Sequence, residues 1–235
     1  MYKYDLHVHT SEVSQCGKVG ARDVVNLYKQ AGYAGIVITD HYFKEYFEGM
    51  NLQNWNDKID RYLEGYKAAR DEGMKVGLNV MLGMELRFYD CINDYLIFGI
   101  DEDFLREYPE LYNYNLRQFR SFIDGANKEI LIYQAHPFRT GMTIQNPVYL
   151  HGVEVYNGNP RHNSRNSLAR LFADENNLKV ISGSDFHQVM DLARGGIMAE
   201  DKINDMKELV RLFKDGIGFE LITADNIDKQ QAICY

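Results

Sequence analysis

The chain has 235 residues, enough for one substantial core, and a formal net charge of −8 at pH 7, which excludes a global attraction to nucleic acid or to an anionic membrane. No apolar run reaches the ~20 residues of a membrane span, and the three scattered cysteines, Cys16, Cys91 and Cys234, argue against a disulfide framework. Because the start of the sequence shows no secretory signal, we expect a single cytoplasmic domain over residues 1–235 with no membrane partner.

Apolar runs of strand length alternate with helical patterns along the chain. Strands are predicted over residues 2–9, 35–39, 79–88, 95–100, 129–135, 153–156 and 179–184, followed by a short strand at 218–222. Helices are predicted over residues 21–31, 54–72, 115–128, 163–177 and 202–215. The remaining stretches are loops at 10–20 and 43–53, a hairpin turn at Asn93-Asp94, and irregular or weakly helical chain at 102–114. This alternation predicts an α/β fold built from parallel βαβ units.

Metal-ligating residue types follow five of these strands. They are His7 and His9, Asp40 and His41, Glu85, His136, and Asp185 and His187. Imidazole and carboxylate are ligands that zinc, manganese and iron accept. We therefore favour a barrel over an open sheet, since the carboxyl ends of barrel strands converge on one mouth. The competing interpretation is a set of hydrogen-bonded surface or core histidines that happen to follow strands.

Five short motifs occur in order between residue 1 and about residue 190. They are Asp5-Leu6-His7-Val8-His9-Thr10, Thr39-Asp40-His41, Gly83-Met84-Glu85, Ala135-His136-Pro137 and Gly183-Ser184-Asp185-Phe186-His187. Together they resemble the successive motifs of the PHP family, which is named after polymerase and histidinol phosphatase. The resemblance implies a distorted (β/α)7 TIM-like barrel with a metal site at the C-terminal ends of the strands.

The resemblance also implies which side chains bind metal. His7 and His9 would bind a first ion that Asp185 completes. Glu85 would bridge this ion to a second one, which His136 also binds. The implied cofactors are two or three divalent metal ions, of zinc, manganese or iron.

His41 and His187 have two implied roles. They would bind a third ion or, with two ions present, one of them would act as a general acid. Asp185, His41 and His187 are therefore the implied catalytic residues.

Two stretches depart from the family pattern. Members often carry a third-site His or Asp shortly after the first pair, where this chain offers only Glu12 or Cys16 as substitutes. A thiolate would favour a softer metal such as zinc, and an ordinary buried thiol is the competing interpretation. Members also often carry a His near the fourth strand, where this chain has Phe98-Gly99-Ile100-Asp101. Asp5 and Asp40 either accept the ring N–H of a metal-binding histidine or are plain loop carboxylates.

Four arginines and a single acid lie between residues 136 and 170, which gives an acidic protein a local basic region for an anionic substrate. Arg139 is the first candidate for a phosphate clamp, followed by Arg161 or Arg165, because a guanidinium fork matches two phosphate oxygens. His162 is a further candidate for contact with substrate or metal. For each of them the alternative is a solvated surface side chain.

Divalent ions a few ångströms apart suit the hydrolysis of phosphate esters, because they activate hydroxide near neutral pH and neutralise the phosphate under attack. We therefore predict a metal-dependent phosphoesterase, foremost a phosphomonoesterase acting on a small anionic phosphate ester. The sequence has no basic stripe or aromatic-interleaved basic groove for nucleic acid, so an exonuclease or phosphodiesterase on short oligonucleotides is an alternative. The others are a C–N amidohydrolase and, last, a non-catalytic metal-binding scaffold.

Overall fold

A computed structural model of the protein describes residues 1–126 and 128–224, in which short strands alternate with helices. The strands are β1 (Tyr2–Val8), β2 (Gly35–Ile38), β3 (His41–Tyr42), β4 (Asn79–Leu82), β5 (Met84–Arg87), β6 (Asp94–Phe98), β7 (Leu131–Gln134), β8 (Gly152–Asn157), β9 (Lys179–Gly183), β10 (Gly196–Ala199) and β11 (Phe219–Ile222). The helices are α1 (Ala21–Gln30), α2 (Lys44–Glu48), α3 (Trp55–Tyr62), α4 (Glu64–Val76), α5 (Glu102–Glu107), α6 (Leu116–Gly125), α7 (Asn166–Asn176) and α8 (Met206–Asp215). Within these residues no helix is both long and apolar enough to cross a membrane.

The strands pair in two sheets, one in the order β11-β10-β1-β2-β4 and the other in the order β3-β5-β6-β7-β8-β9. β6 runs antiparallel to β5 and β7, and β10 runs antiparallel to β1 and β11. The other neighbouring pairs are parallel. The α/β class is thus confirmed. The parallel pairing expected of βαβ units holds for these five pairs, whereas β6, which follows the predicted hairpin, and the unpredicted β10 run antiparallel to their neighbours. The hydrogen bonds form two mixed sheets rather than one closed sheet.

The predicted hairpin at Asn93-Asp94 explains the reversal of β6. Arg87 of β5 lies opposite Asp94 of β6, and the connection between them is shorter than the dozen or more residues that a parallel crossover needs. A forked ion pair, with distances of 2.8 and 3.0 Å between the Arg87 guanidinium and the Asp94 carboxylate, closes the turn. The hairpin prediction is confirmed.

Two predicted segments are divided in the structure. Residues 79–88 form β4 and β5, which belong to different sheets and meet at Gly83. A Cβ at Gly83 would lie 2.9 Å from a valine side chain of β2, so the chain can pass this close only without a side chain. Residues 54–72 form α3 and the start of α4, which Leu63 separates. The short elements α2, β3 and β10 were not predicted, because two to five residues carry no readable periodicity.

Apolar side chains of both sheets meet in one buried cluster. Tyr4 of β1 and Val37 of β2 belong to it together with Leu96 of β6 and Tyr133 of β7. This shared core holds the two sheets against each other. It brings the carboxyl ends of β1, β2, β5, β7 and β9 to one end of the molecule, where the predicted ligands lie.

Candidate metal centre

β1 presents two histidines on one face, because residues i and i+2 of a strand point to the same side. His7 and His9 are fully buried, and their ring centroids are 5.0 Å apart. Asp5 lies on the same face and accepts hydrogen bonds from the backbone N–H groups of His7, at 3.2 Å, and Ser184, at 3.0 Å. Burial raises the pKa of the Asp5 carboxyl to about 6. Asp5 therefore fastens the end of β1 to the segment after β9 rather than accepting a ring N–H.

Glu85 of β5 lies in the middle of the cluster, with its two oxygens turned to different histidines. Oε1 is 3.2 Å from His7 Nε2 and 3.1 Å from His136 Nε2. Oε2 is 3.4 Å from His9 Nε2 and 2.7 Å from His41 Nδ1. Burial alone would raise the pKa of Glu85, but the neighbouring His7 and His41 outweigh it and hold this pKa well below its ordinary value. A charged carboxylate in this position can serve a different ion with each oxygen.

Asp185 follows β9 with a φ of 54°, a left-handed conformation that Asp adopts more readily than most residues. Its Oδ1 lies 3.4 Å from His7 Nε2 and 3.5 Å from His9 Nε2. Its Oδ2 accepts a hydrogen bond from Arg139 Nη2 at 2.6 Å. Although burial opposes ionisation, His7 and Arg139 hold the pKa of Asp185 well below its ordinary value. One oxygen of a charged carboxylate thus faces both histidines of β1.

His136, directly after β7, brings a further imidazole to Glu85. Asp94 Oδ2 lies 3.9 Å from His136 Nε2, and the sequence alone gave no reason to place Asp94 here. Asp101, from the stretch that departs from the family pattern, instead caps α5 by accepting the N–H of Phe104 at 2.7 Å. Of these two acids, Asp94 is the one that lies beside a candidate ligand.

Glu154 of β8 is a central residue that sequence reasoning missed. Its Oε1 lies 2.9 Å from His7 Nδ1, and its Oε2 accepts the backbone N–H of His136 at 3.0 Å and the side-chain amide of Asn157 at 2.9 Å. It is fully buried. The available signal was an acid between two valines of a strand-like run, because a buried charge requires partners.

Asp40 acts on the site through Ser14. The Ser14 hydroxyl donates to Asp40 Oδ1 at 2.7 Å, and its oxygen lies 3.2 Å from His9 Nδ1. Asp40 also accepts the backbone N–H and the hydroxyl of Thr10, both at 2.7 Å. Burial raises the pKa of the Asp40 carboxyl to about 6. The loop after β1 is thereby fixed to the end of β2, and Ser14 rather than Asp40 receives the ring N–H of His9.

The partners of Nδ1 fix the neutral tautomer of four of the five candidate ligand histidines, all except His136. A carboxylate or carbonyl oxygen can only accept a hydrogen bond, so the Nδ1 that faces one carries the proton. The acceptors are Glu154 for His7 at 2.9 Å, Glu85 for His41 at 2.7 Å and the Asp185 carbonyl for His187 at 2.9 Å. The same holds for His9, since the Ser14 proton goes to Asp40. In the neutral imidazole each of these four Nε2 atoms therefore keeps a lone pair, the form that binds metal.

The donor atoms fit divalent metal ions. Within the described residues, His7 Nε2 and His9 Nε2 are buried without a hydrogen-bond partner, which is rare for buried polar atoms. Their separations of 3.2 to 3.5 Å from carboxylate oxygens match the roughly 3.3 Å between two ligands that lie about 2.0–2.1 Å from one tetrahedral zinc. Three groups are compact enough to hold an ion: His7, His9 and Asp185; His7, Glu85 and His136; His9, His41 and His187.

Cys16 lies beside the third of these groups. Its Sγ is 3.2 Å from His41 Nε2. Burial works to raise the pKa of the Cys16 thiol, but contacts with His187 and His41 outweigh it and lower this pKa to about 6. Glu12 instead caps α1, accepting the N–H of Ala21 with both oxygens at 2.9 and 3.0 Å. Of the two substitutes considered from the sequence, Cys16 is the one that reaches the histidines.

The remaining candidates for phosphate binding surround this centre. Arg161 pairs with Asp191 at 2.7 Å, and Asp191 also accepts the backbone N–H of His187 at 2.9 Å. Arg165 is exposed and donates to a backbone carbonyl at 2.6 Å. His162 is exposed as well, and burial followed by the charge of Arg139 lowers its pKa. The structure thus gathers every predicted ligand, while Arg165 and His162 lie on the exposed rim.

Removing bound metal should lower the thermal stability of the protein. At a free metal concentration of 1,000 times Kd, binding stabilises the folded state by about 4 kcal/mol, which corresponds to roughly 8–16 °C in Tm for a chain of this size. Calorimetry of chelator-treated protein, before and after addition of zinc or manganese, measures the shift. Equal Tm values in both states would contradict the proposed fit of the donor atoms to metal.

Comparison with known proteins agrees with this geometry. The family profile of the PHP domain matches residues 5–224, and no curated protein matches the chain. Similar solved structures include a two-domain protein from Bacteroides vulgatus that contains a predicted PHP-like metal-dependent phosphoesterase, with a TM-score of 0.67, 18% identity and coverage of 94% of this chain. This chain spans 64% of that protein. PsfC from Pseudomonas syringae has a TM-score of 0.66 at 13% identity, with 99% of this chain and 100% of that chain covered.

A third similar structure, from Bifidobacterium adolescentis, is a metal-dependent phosphoesterase by prediction, with a TM-score of 0.55, 15% identity and coverage of 91% of this chain and 96% of that chain. Identities this low show a common fold. The family profile, in contrast, covers nearly the whole chain and includes all the motifs that supply the clustered ligands. The chain belongs to the PHP domain family.

Proposed function

We propose that the protein is a metal-dependent phosphoesterase that hydrolyses monoesters of small molecules. The observation that carries this proposal is the placement of Glu85, whose two oxygens contact separate pairs of histidines. A carboxylate shared between groups of metal ligands is suited to a centre of two or three divalent ions, here zinc, manganese or iron. Such ions supply Lewis acidity, a lowered pKa for water and neutralisation of phosphate charge.

The protein's own residues orient the donor atoms. Glu154, Glu85 and the Asp185 carbonyl hold the ring protons at Nδ1, so that the Nε2 lone pairs face the centre. Arg139 holds Oδ2 of Asp185, which leaves Oδ1 towards the two histidines of β1. In a centre with two ions, His41 or His187 would supply the proton that the leaving alkoxide needs.

The rim of the centre supports a small anionic substrate. Arg139 has a side chain only 15% exposed beside Asp185. Arg165, which donates to the backbone carbonyl of the residue before Arg139, is exposed, and so is His162. We propose that these three side chains bind the phosphate. Arg161 instead holds the loop that contains Asp191, through an ion pair with that residue. A few local cations in an acidic protein suit one phosphate group better than a polyanionic strand.

We further propose that the two sheets are the halves of a distorted (β/α)7 barrel. Val8 of β1 forms a parallel bridge with Phe186, which follows β9. The backbone N–H of His9 donates to the Phe186 carbonyl at 3.0 Å, and the Phe186 N–H donates to the His7 carbonyl at 3.1 Å. These bonds join the two sheets directly beside the ligands.

Phosphate release from a panel of small phosphomonoesters should require metal. The purified protein would be assayed with added zinc or manganese and with chelator, alongside a phosphodiester, short oligonucleotides and an amide substrate. Release that chelator abolishes, with monoesters preferred, supports the proposal.

Two outcomes of this panel would contradict the proposal. Preference for the diester or for oligonucleotides would make the protein a phosphodiesterase. Turnover of the amide alone, or of no compound by protein shown to contain metal, would favour C–N hydrolysis or a scaffold, respectively.

A further inference from the structure

We propose that Cys16 is a metal ligand, and that its thiolate binds the same ion as His41 and His187. Sγ lies 3.2 Å from His41 Nε2, and the ring centroids of His41 and His187 are 5.8 Å apart. The inference rests on the metal dependence of the proposed function but not on the identity of the substrate.

The tautomers of the two histidines support this assignment. His41 commits its Nδ1 proton to Glu85 and His187 commits its Nδ1 proton to the Asp185 carbonyl. In the neutral rings both Nε2 atoms therefore keep a lone pair. Metal-binding histidines are oriented in this way, by donation of the other ring N–H to a carboxylate or a carbonyl.

A hydrogen bond from the Cys16 thiol cannot satisfy all the ring nitrogens that lie near it. One S–H can donate to one acceptor, whereas three imidazoles, those of His9, His41 and His187, each offer a ring nitrogen here within 4.8 Å of the other two. Among the described residues, His9 Nε2 is also buried without a hydrogen-bond partner. One cation accepts all of these lone pairs together with that of the sulfur.

The distances agree with shared coordination. A sulfur about 2.3 Å and a nitrogen about 2.0–2.1 Å from one tetrahedral zinc lie roughly 3.5 Å apart. The observed 3.2 Å between Cys16 Sγ and His41 Nε2 differs from this by a few tenths of an ångström, which a side-chain torsion can absorb.

The loop around Cys16 is fastened on both sides of the thiol. Ser14 is held by Asp40 at 2.7 Å, and the backbone N–H of Lys18 donates to the carbonyl of His187 at 2.7 Å. Gly17 allows the loop to turn tightly, since a Cβ there would lie 3.0 Å from backbone atoms of the loop's first residue. The loop therefore ties Cys16 directly to the segment that carries His187.

A sulfur ligand has consequences for metal selectivity. Thiolate is softer than the imidazole or carboxylate that the family resemblance implies at this position, so it favours zinc or cobalt over manganese. Cys16 is also exposed, so reagents can reach the thiol whenever the ion is absent.

The test uses a variant in which Cys16 is the only thiol, with Cys91 and Cys234 replaced by Ser. Cobalt added to this full-length protein should produce a sulfur-to-cobalt charge-transfer absorption in the near ultraviolet, and saturating zinc should slow iodoacetamide alkylation of Cys16 at least 10-fold. Cys16→Ser should remove the absorption and weaken the binding of one ion by at least about 10- to 100-fold. That is the loss of metal affinity when a residue that only hydrogen-bonds to a metal ligand is replaced. Cys16→Asp should keep that ion without the absorption and shift its preference towards manganese.

Several results would overturn the assignment. The first is the absence of sulfur charge transfer in the cobalt-loaded protein that retains only Cys16. The second is a Cys16 thiol that stays fully reactive in saturating zinc. The third is a failure of the protein to bind cobalt or zinc at all. None of these readouts uses phosphate release. Protein with sulfur-bound cobalt that hydrolyses no ester would therefore contradict the proposed function alone, and an active phosphatase without the absorption would contradict the role of Cys16 alone.

Discussion

Asp185→Asn should reduce turnover of phosphate esters by at least about 100-fold and leave the protein folded. Replacing a residue that only orients a metal ligand already costs up to about 100-fold, and Asp185 faces the centre itself. The substitution removes one negative charge facing Nε2 of His7 and His9 at 3.4 and 3.5 Å and keeps the shape of the side chain. The amide oxygen of Asn can still accept the hydrogen bond of Arg139, so packing after β9 is retained. The first ion loses its carboxylate and binds more weakly.

Kinetics and metal content of the same preparations check this expectation. Metal per chain should fall by one ion, while the far-ultraviolet circular dichroism stays that of the wild type. Asp174→Asn is the matched control, because it makes the same chemical change at an exposed position of α7. Near-wild-type turnover in Asp185→Asn, or equal losses in both variants, would remove Asp185 from the centre.

The clustering of the candidate ligands could be predicted from the sequence because each lies in a short motif at the end of a strand. A strand of four to seven residues fixes the direction of its chain, and parallel strands of one fold deliver their carboxyl ends to one side. His7, Glu85, His136 and Asp185 need no further information to meet. Their assignment to particular ions is a proposal that metal analysis has to test.

The residues that orient these ligands could not be predicted in the same way. Glu154 and His7 are 147 residues apart in the chain, and no local pattern connects them. Arg139 and Arg161 were interpreted as phosphate clamps from the local charge and the shape of the guanidinium group. The structure adds an acidic partner for each, Asp185 for Arg139 and Asp191 for Arg161. Such pairings depend on how the loops pack, which charge counts do not reveal.

The direction of β6 shows a related limit. Periodicity located its strand and turn chemistry located the hairpin, whereas the alternation of strands and helices along the chain favoured parallel βαβ units. The short connection from Arg87 to Asp94 decides the matter, because it cannot cross over the sheet. Connection length was therefore the better guide to strand direction than the overall fold class.

Glu85→Gln should remove more metal than Asp185→Asn does. Glu85 contacts His7, His9, His41 and His136, so all three potential ion groups either contain it or lie against it. We expect less than one tightly bound ion per chain and no measurable phosphate release. Glu200→Gln, at an exposed position after β10, is the control and should keep full metal content and turnover.

The same variant should change the pH dependence of stability in metal-free protein. His7 has a pKa well above 6.5 in the folded chain, because Glu154, Glu85 and Asp185 outweigh the effect of burial, so its stabilising contribution is complete below pH 6.5 and is lost as the pH rises through the folded-state value. Glu85 has a pKa well below 4.5, so its contribution is complete above pH 4.5 and is lost on acidification. The two contributions coincide between pH 4.5 and 6.5.

Breaking a buried ion pair costs about 3–5 kcal/mol. We expect Glu85→Gln to lower the free energy of unfolding by that amount near the middle of this pH window. The difference between wild type and variant should become smaller in alkaline solution, where His7 loses its charge. Urea unfolding of chelator-treated wild type and variant, at a pH inside the window and at one well above it, measures the difference. A variant as stable as the wild type inside the window would mean that Glu85 and His7 do not interact as a charged pair. A loss that grew with rising pH would contradict the assigned direction of the His7 pKa.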